Sequence, residues 1–370
     1  MRYYLIAGEA SGDVHGANLI LALKAIDDQS EFRVWGGDRM AEAGGDLVRH
    51  YRNTAFMGFV DVLTHLQSIL SNLRYCKRDL EIWDPDAVIM IDYPGFNMRI
   101  AKWLKNQHLK AKSIYYISPQ VWAWKAGRAN KLRKMLDKML VILPFEEEFY
   151  AKYKFKVDYV GHPLFDELEI QKPDSAFRSR HNLFGKPIIA ILPGSRKQEI
   201  VSLLGPMLAL STTYPQYLFV VAGVSGVPEQ IYHVKELSRE NVTLVKNETN
   251  QLLSIADYAI VTSGTATLET ALHGVPQIVC YKGSLVNYYI AKNLIDIKYI
   301  SLVNLILNEP LVKELIQVQF TSENLKKEFE LIQRPDRRES IKSGYDRLRK
   351  LLRGPGASKK AAEIIYTITQ

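Results

Sequence analysis

Short apolar runs alternate with longer segments of helical periodicity along most of the chain, and this alternation restricts the fold more than any other feature. Runs rich in Val, Ile and Tyr predict strands at 3–7, 32–35, 87–91, 113–117, 139–143, 157–160, 188–192, 217–222, 242–245, 258–261 and 277–280. Strands that alternate with helices form parallel sheets covered by helices on both faces. The sequence pattern changes after the sixth run. We therefore expect an α/β fold that consists of two doubly wound domains.

The domain boundary is expected near the Gly-His-Pro sequence at 161–163, because a polar segment follows it and precedes the second series of strands. We therefore predict one domain over 1–163 and another over 164–350. A last helix is expected within 351–370, after the break at the Gly-Pro-Gly sequence 354–356. This helix either packs on its own domain or crosses back onto the first.

The amino-acid composition limits the cellular compartment and the partners that we expect for this chain. The 370 residues suit two domains, and an apolar fraction of 47% is typical of a globular protein. Cys76 and Cys280 stand in no CxxC or Cys/His pattern, so we expect a reducing cytoplasm and neither disulfides nor a zinc site. The first residues do not resemble a signal peptide, and no run approaches the roughly 18 apolar residues of a spanning helix. A net charge of +8 favours anionic partners, such as phosphorylated substrates or an acidic bilayer.

Ligands of open parallel sheets bind beyond the carboxyl ends of the strands, so the residues after each strand are the candidate site residues. Small and acidic residues follow the first strand, namely Gly8, Glu9, Ser11, Gly12 and Asp13. A helix is expected from about residue 15. The segment is either a capped structural turn or a loop that receives the hydroxyls of a sugar, since its acids would repel a pyrophosphate.

Asp92 comes directly after the predicted strand 87–91. A carboxylate at this position lies at the mouth of a cleft, where it can accept a proton from an attacking hydroxyl. The alternative is an Asx-type turn before Pro94. We favour the catalytic interpretation.

Aromatic and basic residues are concentrated after the strand at 113–117. Two tryptophans, Trp122 and Trp124, precede six bases between residues 125 and 138. The bases form a solvated helix face or contact a phosphate or lipid headgroup. Nothing in the sequence resembles a nucleic-acid-binding module, so no nucleic-acid partner is expected.

The second domain has two loops suited to binding an anion. Arg196 follows Pro-Gly-Ser after the strand at 188–192, and an arginine there can clamp a diphosphate. Ser263, Gly264 and Thr265 begin a helix whose N–H groups point at an anion, and Glu269 can accept hydrogen bonds from ribose hydroxyls.

Apolar side chains recur at helical spacing between residues 56 and 73, opposite a polar face with little charge. The aliphatic ones are Val60, Val62, Leu63, Leu66, Ile69, Leu70 and Leu73. Such a helix packs on a core or contacts acyl chains and a membrane. A basic segment at 334–353 also fits an anionic bilayer. It places four apolar residues near one face: Ile341, Tyr345, Leu348 and Leu352.

Together these motifs resemble those of the lipid-A-disaccharide synthase family. The resemblance rests on 5–13, 121–124, 192–196, 263–269 and 301–304, which run in family order and cover most of the chain. It implies a GT-B-type fold, in which two Rossmann-like doubly wound domains face each other across a cleft.

The resemblance also implies a reaction and its setting. The family transfers 2,3-diacylglucosamine from UDP, with inversion, to 2,3-diacylglucosamine 1-phosphate. The products are UDP and a β-1,6-linked disaccharide 1-phosphate, and neither a metal nor another cofactor is needed. The implied location is peripheral, on the anionic cytoplasmic face of a Gram-negative inner membrane. Acyl-chain length, binding order and oligomeric state are not specified.

Site residues are carried over by the same resemblance. Asp92 matches the family's proposed base, and the apolar helix within 56–73 matches a membrane-facing segment. Four further residues match polar cleft positions: Arg196, Glu269, Asn304 and Gln317. Gly95 stands where the family often has an acid, so Asp92 is the carboxylate expected to act in that loop.

Two other functions are compatible with this architecture. A UDP-sugar 2-epimerase has the same fold but needs no apolar acceptor helix, so the segment 56–73 argues against it. A non-enzymatic two-domain binding protein usually acts outside the cytoplasm, which the lack of signal-peptide character disfavours.

Overall fold

The computed structural model describes residues 1–53, 66–107, 109–123, 126–170, 174–224, 226–283 and 298–370. Contacts within the chain divide it into two compact units. The first comprises Met1–Glu167 and Arg353–Gln370, and the second comprises Leu168–Leu352. Each unit is built on a parallel sheet.

The sheet of the first unit has buried central strands. Its strands are β1 (Arg2–Ala7), β2 (Glu31–Gly36), β3 (Asp46–His50), β4 (Ala87–Ile91), β5 (Lys112–Tyr116), β6 (Lys138–Val141) and β7 (Asp158–Tyr159). They are parallel and lie in the order β3-β2-β1-β4-β5-β6-β7. Continuous apolar runs, such as Tyr-Tyr-Leu-Ile-Ala in β1, are typical of a parallel sheet covered on both faces. The strand order reverses between β1 and β4, which opens a crevice at their carboxyl ends.

Helices pack against two hydrophobic clusters, one on each face of this sheet. The helices are α1 (Ala10–Ile26), α2 (Asp38–Glu42), α3 (Leu66–Trp83), α4 (Pro94–Gln107), α5 (Arg128–Met135) and α6 (Glu146–Ala151), and a further helix, α7 (Leu164–Ile170), follows β7. Leu19 and Leu23 of α1 join the cluster that contains Leu5 of β1. Helices α3, α4 and α5 join the opposite cluster, which contains Ile6. The alternation of side chains along β1 thus supplies both cores.

The second unit repeats the arrangement. Its strands are β8 (Ile188–Leu192), β9 (Leu218–Gly223), β10 (Val242–Lys246), β11 (Tyr258–Thr262), β12 (Gln277–Tyr281) and β13 (Lys313–Ile316). They are parallel, in the order β10-β9-β8-β11-β12-β13, so the reversal falls between β8 and β11. The helices are α8 (Phe177–Arg180), α9 (Lys197–Met207), α10 (Leu210–Thr213), α11 (Thr249–Ile255), α12 (Thr265–Leu272), α13 (Leu302–Leu307), α14 (Ser322–Ile332) and α15 (Pro335–Leu352).

The apolar face of α15 is core and not a membrane surface. Ile341, Tyr345, Leu348 and Leu352 are all fully buried. Tyr345 also donates a hydrogen bond from its hydroxyl to the carbonyl of Val275 at 3.1 Å. The expectation that this face meets a bilayer is therefore wrong, because packing on the second sheet already covers it.

The last helix, α16 (Ala357–Thr369), belongs to the first unit. Asp166 caps its start: one carboxylate oxygen accepts the N–H of Gly356 at 2.6 Å and the other accepts that of Ser358 at 2.8 Å. Ala361 and Ile365 are fully buried in the cluster that also contains residues of α1. An acid at a helix N-terminus satisfies N–H groups that have no partner within the helix.

Sequence patterns predicted most of the strands but not β3 and β13. Both lie at the edge of a sheet and carry charged residues, with the sequences Asp-Leu-Val-Arg-His and Lys-Glu-Leu-Ile. Charged edge strands lack the apolar run of a central strand. The first helix also begins earlier than expected, at Ala10 and not near residue 15, because Glu9 is extended and acts as its N-cap.

Candidate active site

The loops after β1 and β4 are neighbours at the strand reversal of the first unit. Ala7 pairs with Ile91, and Ile91 pairs with Tyr116, so the carboxyl ends of these strands are level. Gly8 permits close contact between the two loops, since a Cβ at that position would lie 2.2 Å from the ring of Tyr93. We call the surface formed by residues 8–13 and 92–95 the first crevice.

Asp92 lies in the first crevice with a left-handed backbone, at φ 44°. Aspartate is one of the few non-glycine residue types that enter this region, and hydrogen bonds hold the turn in place. Its carbonyl oxygen accepts hydrogen bonds from Asn97 Nδ2 at 2.8 Å and from the Tyr115 hydroxyl at 2.6 Å. Asn97 also donates to the carbonyl of Ile6 at 3.2 Å, so one amide joins the ends of β1 and β4. Asn97 and Tyr115 thus fix the turn that presents Asp92.

The Asp92 carboxyl holds its proton more tightly than an ordinary aspartic acid. Burial raises its pKa to about 7, and the negative charge of Glu9 acts in the same direction. His15 and the backbone N–H of Tyr93 act in the opposite direction and lower the pKa. A carboxylate whose pKa lies near neutrality is suited to general-base catalysis.

Asp13 has a structural role and does not make the acceptor contact expected from the sequence. Its side chain is buried, and its Oδ1 accepts the N–H groups of Gly37 at 2.7 Å and Met40 at 3.0 Å. Oδ2 accepts the N–H of Arg39 at 3.1 Å. A buried carboxylate requires such partners. Asp13 therefore caps α2.

Some of the remaining residues after β1 are buried, and others are exposed. Gly12 is buried, and a Cβ there would lie 3.1 Å from the Cβ of Ala7. Ser11 is exposed in the first turn of α1 and donates from its hydroxyl to Glu9 Oε1 at 3.3 Å. Glu9 and Ser11 are thus the polar side chains that the first crevice offers from this loop.

A buried carboxylate, which the sequence analysis did not single out, holds the loop after β5. Glu146 is 1% exposed and accepts hydrogen bonds from Trp122 Nε1 at 3.2 Å and from the Leu143 N–H at 2.9 Å. Burial raises its pKa to about 7. Trp122 is therefore anchored to the protein, whereas Trp124 and Lys125 lie outside the described residues.

The strand reversal of the second unit places an arginine beside a glycine turn. Leu192 pairs with Val261, so the loops after β8 and β11 are adjacent. Gly194 has φ 112°, and a Cβ there would lie 2.4 Å from the carboxylate of Glu199. Arg196 is the N-cap of α9, its side chain is 60% exposed, and it lies 3.5 Å from Glu199. Because this ion pair is long and exposed to solvent, it is weak, and the Arg196 guanidinium remains able to bind an anion.

The turn between β11 and α12 completes what we call the second crevice, residues 193–196 and 263–265. Gly264 has φ 138°, which favours glycine. The Ser263 hydroxyl donates to the carbonyl of Ile300 at 2.8 Å, so it is not directed at an anion as expected. Exposed Thr265 begins α12, whose first N–H groups have no acceptor within the helix. Glu269 is partly buried one turn further along.

Asn304 belongs to a buried hydrogen-bond network. It is 1% exposed, and its Oδ1 accepts the N–H of Val312 at 2.9 Å. Its Nδ2 donates to the Val312 carbonyl at 2.8 Å and to Glu314 Oε1 at 2.9 Å. Glu314 also accepts from the Ser301 hydroxyl at 2.8 Å. The protein itself thus binds both ends of the Asn304 amide, and the expected cleft contact stays a prediction.

Gln317 has a different environment. It follows β13 with a left-handed φ of 53° and is 6% exposed. Its Nε2 has no hydrogen-bond partner in the described part of the chain. A buried donor without a partner is costly and calls for an explanation, and a bound ligand would provide one.

The predicted apolar segment is described only from Leu66, where α3 begins. Three of its residues lie outside the described part: Val60, Val62 and Leu63. Leu70 is 43% exposed, and Ile69 packs partly against the core. Leu73 is buried in that core, so it does not contact lipid. Among the described residues, no helix combines the length and apolarity needed to cross a membrane.

The two crevices differ in their chemistry. The first offers the carboxylates of Asp92 and Glu9, which accept protons and hydrogen bonds. The second offers Arg196 and the N-terminus of α12, which stabilise negative charge. The first crevice is thus suited to removing a proton from a hydroxyl, and the second to binding a phosphate.

Solved structures with the same fold cover nearly the whole chain. A UDP-GlcNAc 2-epimerase from Neisseria meningitidis bound to UDP-GlcNAc matches with a TM-score of 0.66 and 15% identity, over 99% of this chain and 100% of that one. CalG4, the calicheamicin glycosyltransferase, matches with a TM-score of 0.62 and 14% identity, over 99% and 98% of the two chains. These likenesses confirm the predicted GT-B-type α/β fold.

Relatives by sequence identify the family. The lipid-A-disaccharide synthase of Syntrophus aciditrophicus is 37% identical, over 98% of this chain and 97% of its own. That of Coxiella burnetii is 34% identical over the same shares. The model of the lipid-A-disaccharide synthetase family matches residues 3–368, which confirms the family predicted from the motifs. The chain therefore belongs to the lipid-A-disaccharide synthetase family of glycosyltransferases.

Proposed function

We propose that the protein transfers 2,3-diacylglucosamine from UDP to 2,3-diacylglucosamine 1-phosphate, giving a disaccharide 1-phosphate and UDP. The names of its relatives support a disaccharide product of the lipid A type. The observation that carries the proposal is Asp92, a partly buried carboxylate whose pKa is raised to about 7 at the strand reversal of the first unit.

Asp92 is proposed to act as the general base. In its ionised form it takes the proton of the acceptor's 6-hydroxyl while that oxygen attacks the anomeric carbon of the donor. The new carbon–oxygen bond forms as the bond to the diphosphate breaks, and UDP leaves with the electron pair. Attack from the side opposite the leaving group inverts the configuration and gives a β-1,6 linkage. General-base assistance of this kind is worth roughly 10²–10⁴-fold in rate.

The second crevice is proposed to hold UDP. Arg196 and the backbone at Ser263, Gly264 and Thr265 would bind the diphosphate and stabilise the charge that develops on it as it leaves. Glu269 would accept hydrogen bonds from the ribose hydroxyls. A guanidinium and a helix N-terminus supply positive potential, so the proposed reaction requires no metal ion.

The polar groups of the first loop are proposed to receive the acceptor sugar. Glu9 and Ser11 would bind its hydroxyls, in a loop that Gly8 and Gly12 allow to pack closely on Tyr93 and Ala7. Gln317, whose Nε2 has no partner in the described part of the chain, would donate a hydrogen bond to a bound sugar substrate.

The protein is further proposed to work peripherally on an anionic membrane, at the inner face of a Gram-negative inner membrane. Helices α3, α4 and α5 pack side by side on one face of the first sheet. They carry exposed bases: Arg74, Arg78, Arg99, Lys102, Lys105, Lys131, Arg133 and Lys134. Each base near an anionic surface contributes about 1 kcal/mol, and Leu70 lies one turn from Arg74. Together the bases and Leu70 suit contact with a membrane surface in which acylated sugars lie.

A transfer assay tests the proposal. Purified protein is incubated with both diacylated sugars, and the products are identified by mass spectrometry. A parallel sample receives UDP-GlcNAc alone and is examined for the 2-epimer. We expect disaccharide 1-phosphate and UDP in the first sample and no epimer in the second. Epimer without disaccharide would contradict the proposal and favour the epimerase alternative.

A further inference from the structure

A carboxylate of β13 binds the backbone that precedes α13, and the mechanism proposed so far does not use it. Glu314 Oε1 accepts the N–H and the hydroxyl of Ser301, at 2.9 and 2.8 Å. Glu314 Oε2 accepts the N–H of Ile300 at 3.1 Å. Ser301 is fully buried and is the N-cap of α13. We call Glu314, Ile300 and Ser301 the Glu314 cluster.

The Glu314 cluster is hydrogen-bonded to the second crevice. The carbonyl of Ile300 accepts the hydroxyl of Ser263 at 2.8 Å. Ser263 also donates its N–H to the carbonyl of Cys280 at 3.2 Å, so two bonds hold it. It is followed by Gly264, with φ 138°, and by Thr265, the first residue of α12. A continuous chain of hydrogen bonds thus joins β13 to the turn that begins α12.

Glutamate suits this position because both oxygens of an ionised carboxylate are acceptors. Besides its bonds to residues 300 and 301, Glu314 Oε1 accepts Asn304 Nδ2 at 2.9 Å. Hydrogen bonds to a charged group are stronger than those between neutral groups, and a buried donor that loses its acceptor is costly. One carboxylate therefore holds three positions of the chain against β13.

The turn at residues 264–265 can bind a phosphate only if its N–H groups are held in a fixed direction. We propose that Glu314 is a positioning residue of the nucleotide site, which orients this turn toward the diphosphate of UDP through Ile300 and Ser263. The inference rests on the proposed binding of UDP in the second crevice. It also gives a role to the Ser263 hydroxyl, which bonds to the protein itself.

Glu314→Gln is the first test. Glutamine has nearly the same shape, but an NH2 group replaces one of the two acceptor oxygens, so at least one donor of the Glu314 cluster loses its partner. UDP should bind the variant about tenfold more weakly in calorimetry. Uridine, which lacks the diphosphate, should bind it nearly as it binds wild type. Unchanged UDP affinity, or equal weakening of UDP and uridine, would overturn the proposal.

Ser263→Ala interrupts the same chain of hydrogen bonds at its other end. It should weaken UDP binding in the same direction and again spare uridine. Because both changes break one connection, the double variant should bind UDP no more weakly than the weaker-binding single variant. Additive losses would show that Glu314 and Ser263 act separately and would contradict the proposal. Ser263→Ala alone decides if Glu314→Gln does not fold.

Asn241→Ala is the matched control for a general loss of stability. Asn241 Nδ2 donates to the carbonyls of Ser211 at 3.0 Å and Tyr217 at 3.2 Å. It directly precedes β10, at the amino end of the second sheet and away from the second crevice. This variant should lower the melting temperature and bind UDP as wild type does. If it weakened UDP binding as much as Glu314→Gln, the effect would be general and the proposal wrong.

Hydrogen exchange in the free protein separates a failure of this inference from a failure of the proposed function. The amide of Thr267 donates to the carbonyl of Gly264 at 3.1 Å and therefore reports on the turn. It should exchange at least about fivefold faster in Glu314→Gln than in wild type or Asn241→Ala. Unchanged exchange would overturn the role of Glu314, whether or not UDP binds. Wild-type protein that does not bind UDP would instead contradict the proposed function.

Discussion

The strand reversals of the two units have the same topology and opposite chemistry. In each unit the first strand of its sheet lies beside the fourth, and the loops that follow these strands meet. The first crevice contains Asp92 and Glu9, whereas the second contains Arg196 and the start of α12. The parallel sheet thus brings two loops together in the same way in both units, and the loop residues give each crevice its own charge.

The backbone of the two crevices differs in a related way. The second uses glycine where φ is positive, at Gly194 and Gly264, a conformation that glycine adopts without strain. The first places Asp92 itself at positive φ, and Asn97 and Tyr115 bind its carbonyl. Positive φ thus occurs at a carboxylate residue in the first crevice and at glycines in the second.

The largest effect is expected from Asp92→Asn, which tests the role of the first crevice. Turnover should fall by roughly 10²–10⁴-fold, because asparagine cannot accept the proton. The fold should survive: the raised pKa of Asp92 means that its ionised form destabilises the native state above the ordinary titration range of an aspartate, so the melting temperature at pH 8 should not fall. Near-normal turnover by the folded variant would remove Asp92 from the mechanism.

The pH dependence of kcat/KM is a second test of Asp92 as the general base. As the proposed base, Asp92 would act in its ionised form, and its pKa is raised to about 7. Below that value kcat/KM should decline about tenfold for each pH unit, with a plateau above it. The dependence is measured with wild-type protein and subsaturating substrates between pH 5 and 9. A profile flat down to pH 5 would show that no base of this pKa is needed.

Arg196→Ala and Glu269→Ala test the second crevice. Loss of a charge-assisted hydrogen bond costs about 1.5–3 kcal/mol, so Arg196→Ala should weaken UDP binding by roughly tenfold to a hundredfold. Uridine, which has no phosphate, should bind this variant as it binds wild type. Glu269→Ala should weaken both ligands. Equal weakening of UDP and uridine by Arg196→Ala would contradict a phosphate contact.

A smaller effect is expected on membrane attachment, which we propose for the first unit. Leu70 and Ile82 are exposed residues of α3, twelve positions apart, and Leu70 lies nearer the carboxyl ends of the strands. Leu70→Ser should reduce binding to anionic vesicles by about fivefold, the effect of roughly 1 kcal/mol of apolar burial. Ile82→Ser is the matched control and should bind normally. Equal losses in the two variants in a flotation assay would argue against an oriented contact.

The smallest expected effect is that of a chelator. If Arg196 and the start of α12 stabilise the leaving diphosphate, EDTA should leave the transfer rate unchanged. The measurement compares initial rates with and without EDTA on the same preparation. Loss of activity that Mg²⁺ restores would show that the second crevice needs a metal ion.

The sequence predicted the strands with long apolar runs and, through them, the position of Asp92 and Arg196 at strand ends. It did not reveal Asn97, Tyr115 and Glu146, because their hydrogen bonds depend on how distant segments pack. Asp13 and Asn304 were assigned to ligand contacts for a related reason. A polar residue in a motif can bind backbone groups inside the protein as readily as it binds a substrate, and only the fold distinguishes the two.

Calorimetric titration of UDP into Asp92→Asn, beside Arg196→Ala, tests the division between the crevices most directly. The account predicts that Asp92→Asn binds UDP as tightly as wild type while turning over roughly 10²–10⁴-fold more slowly, and that Arg196→Ala binds UDP at least about tenfold more weakly. Comparable loss of UDP affinity in both variants would contradict the assignment of the base to the first crevice and the nucleotide to the second.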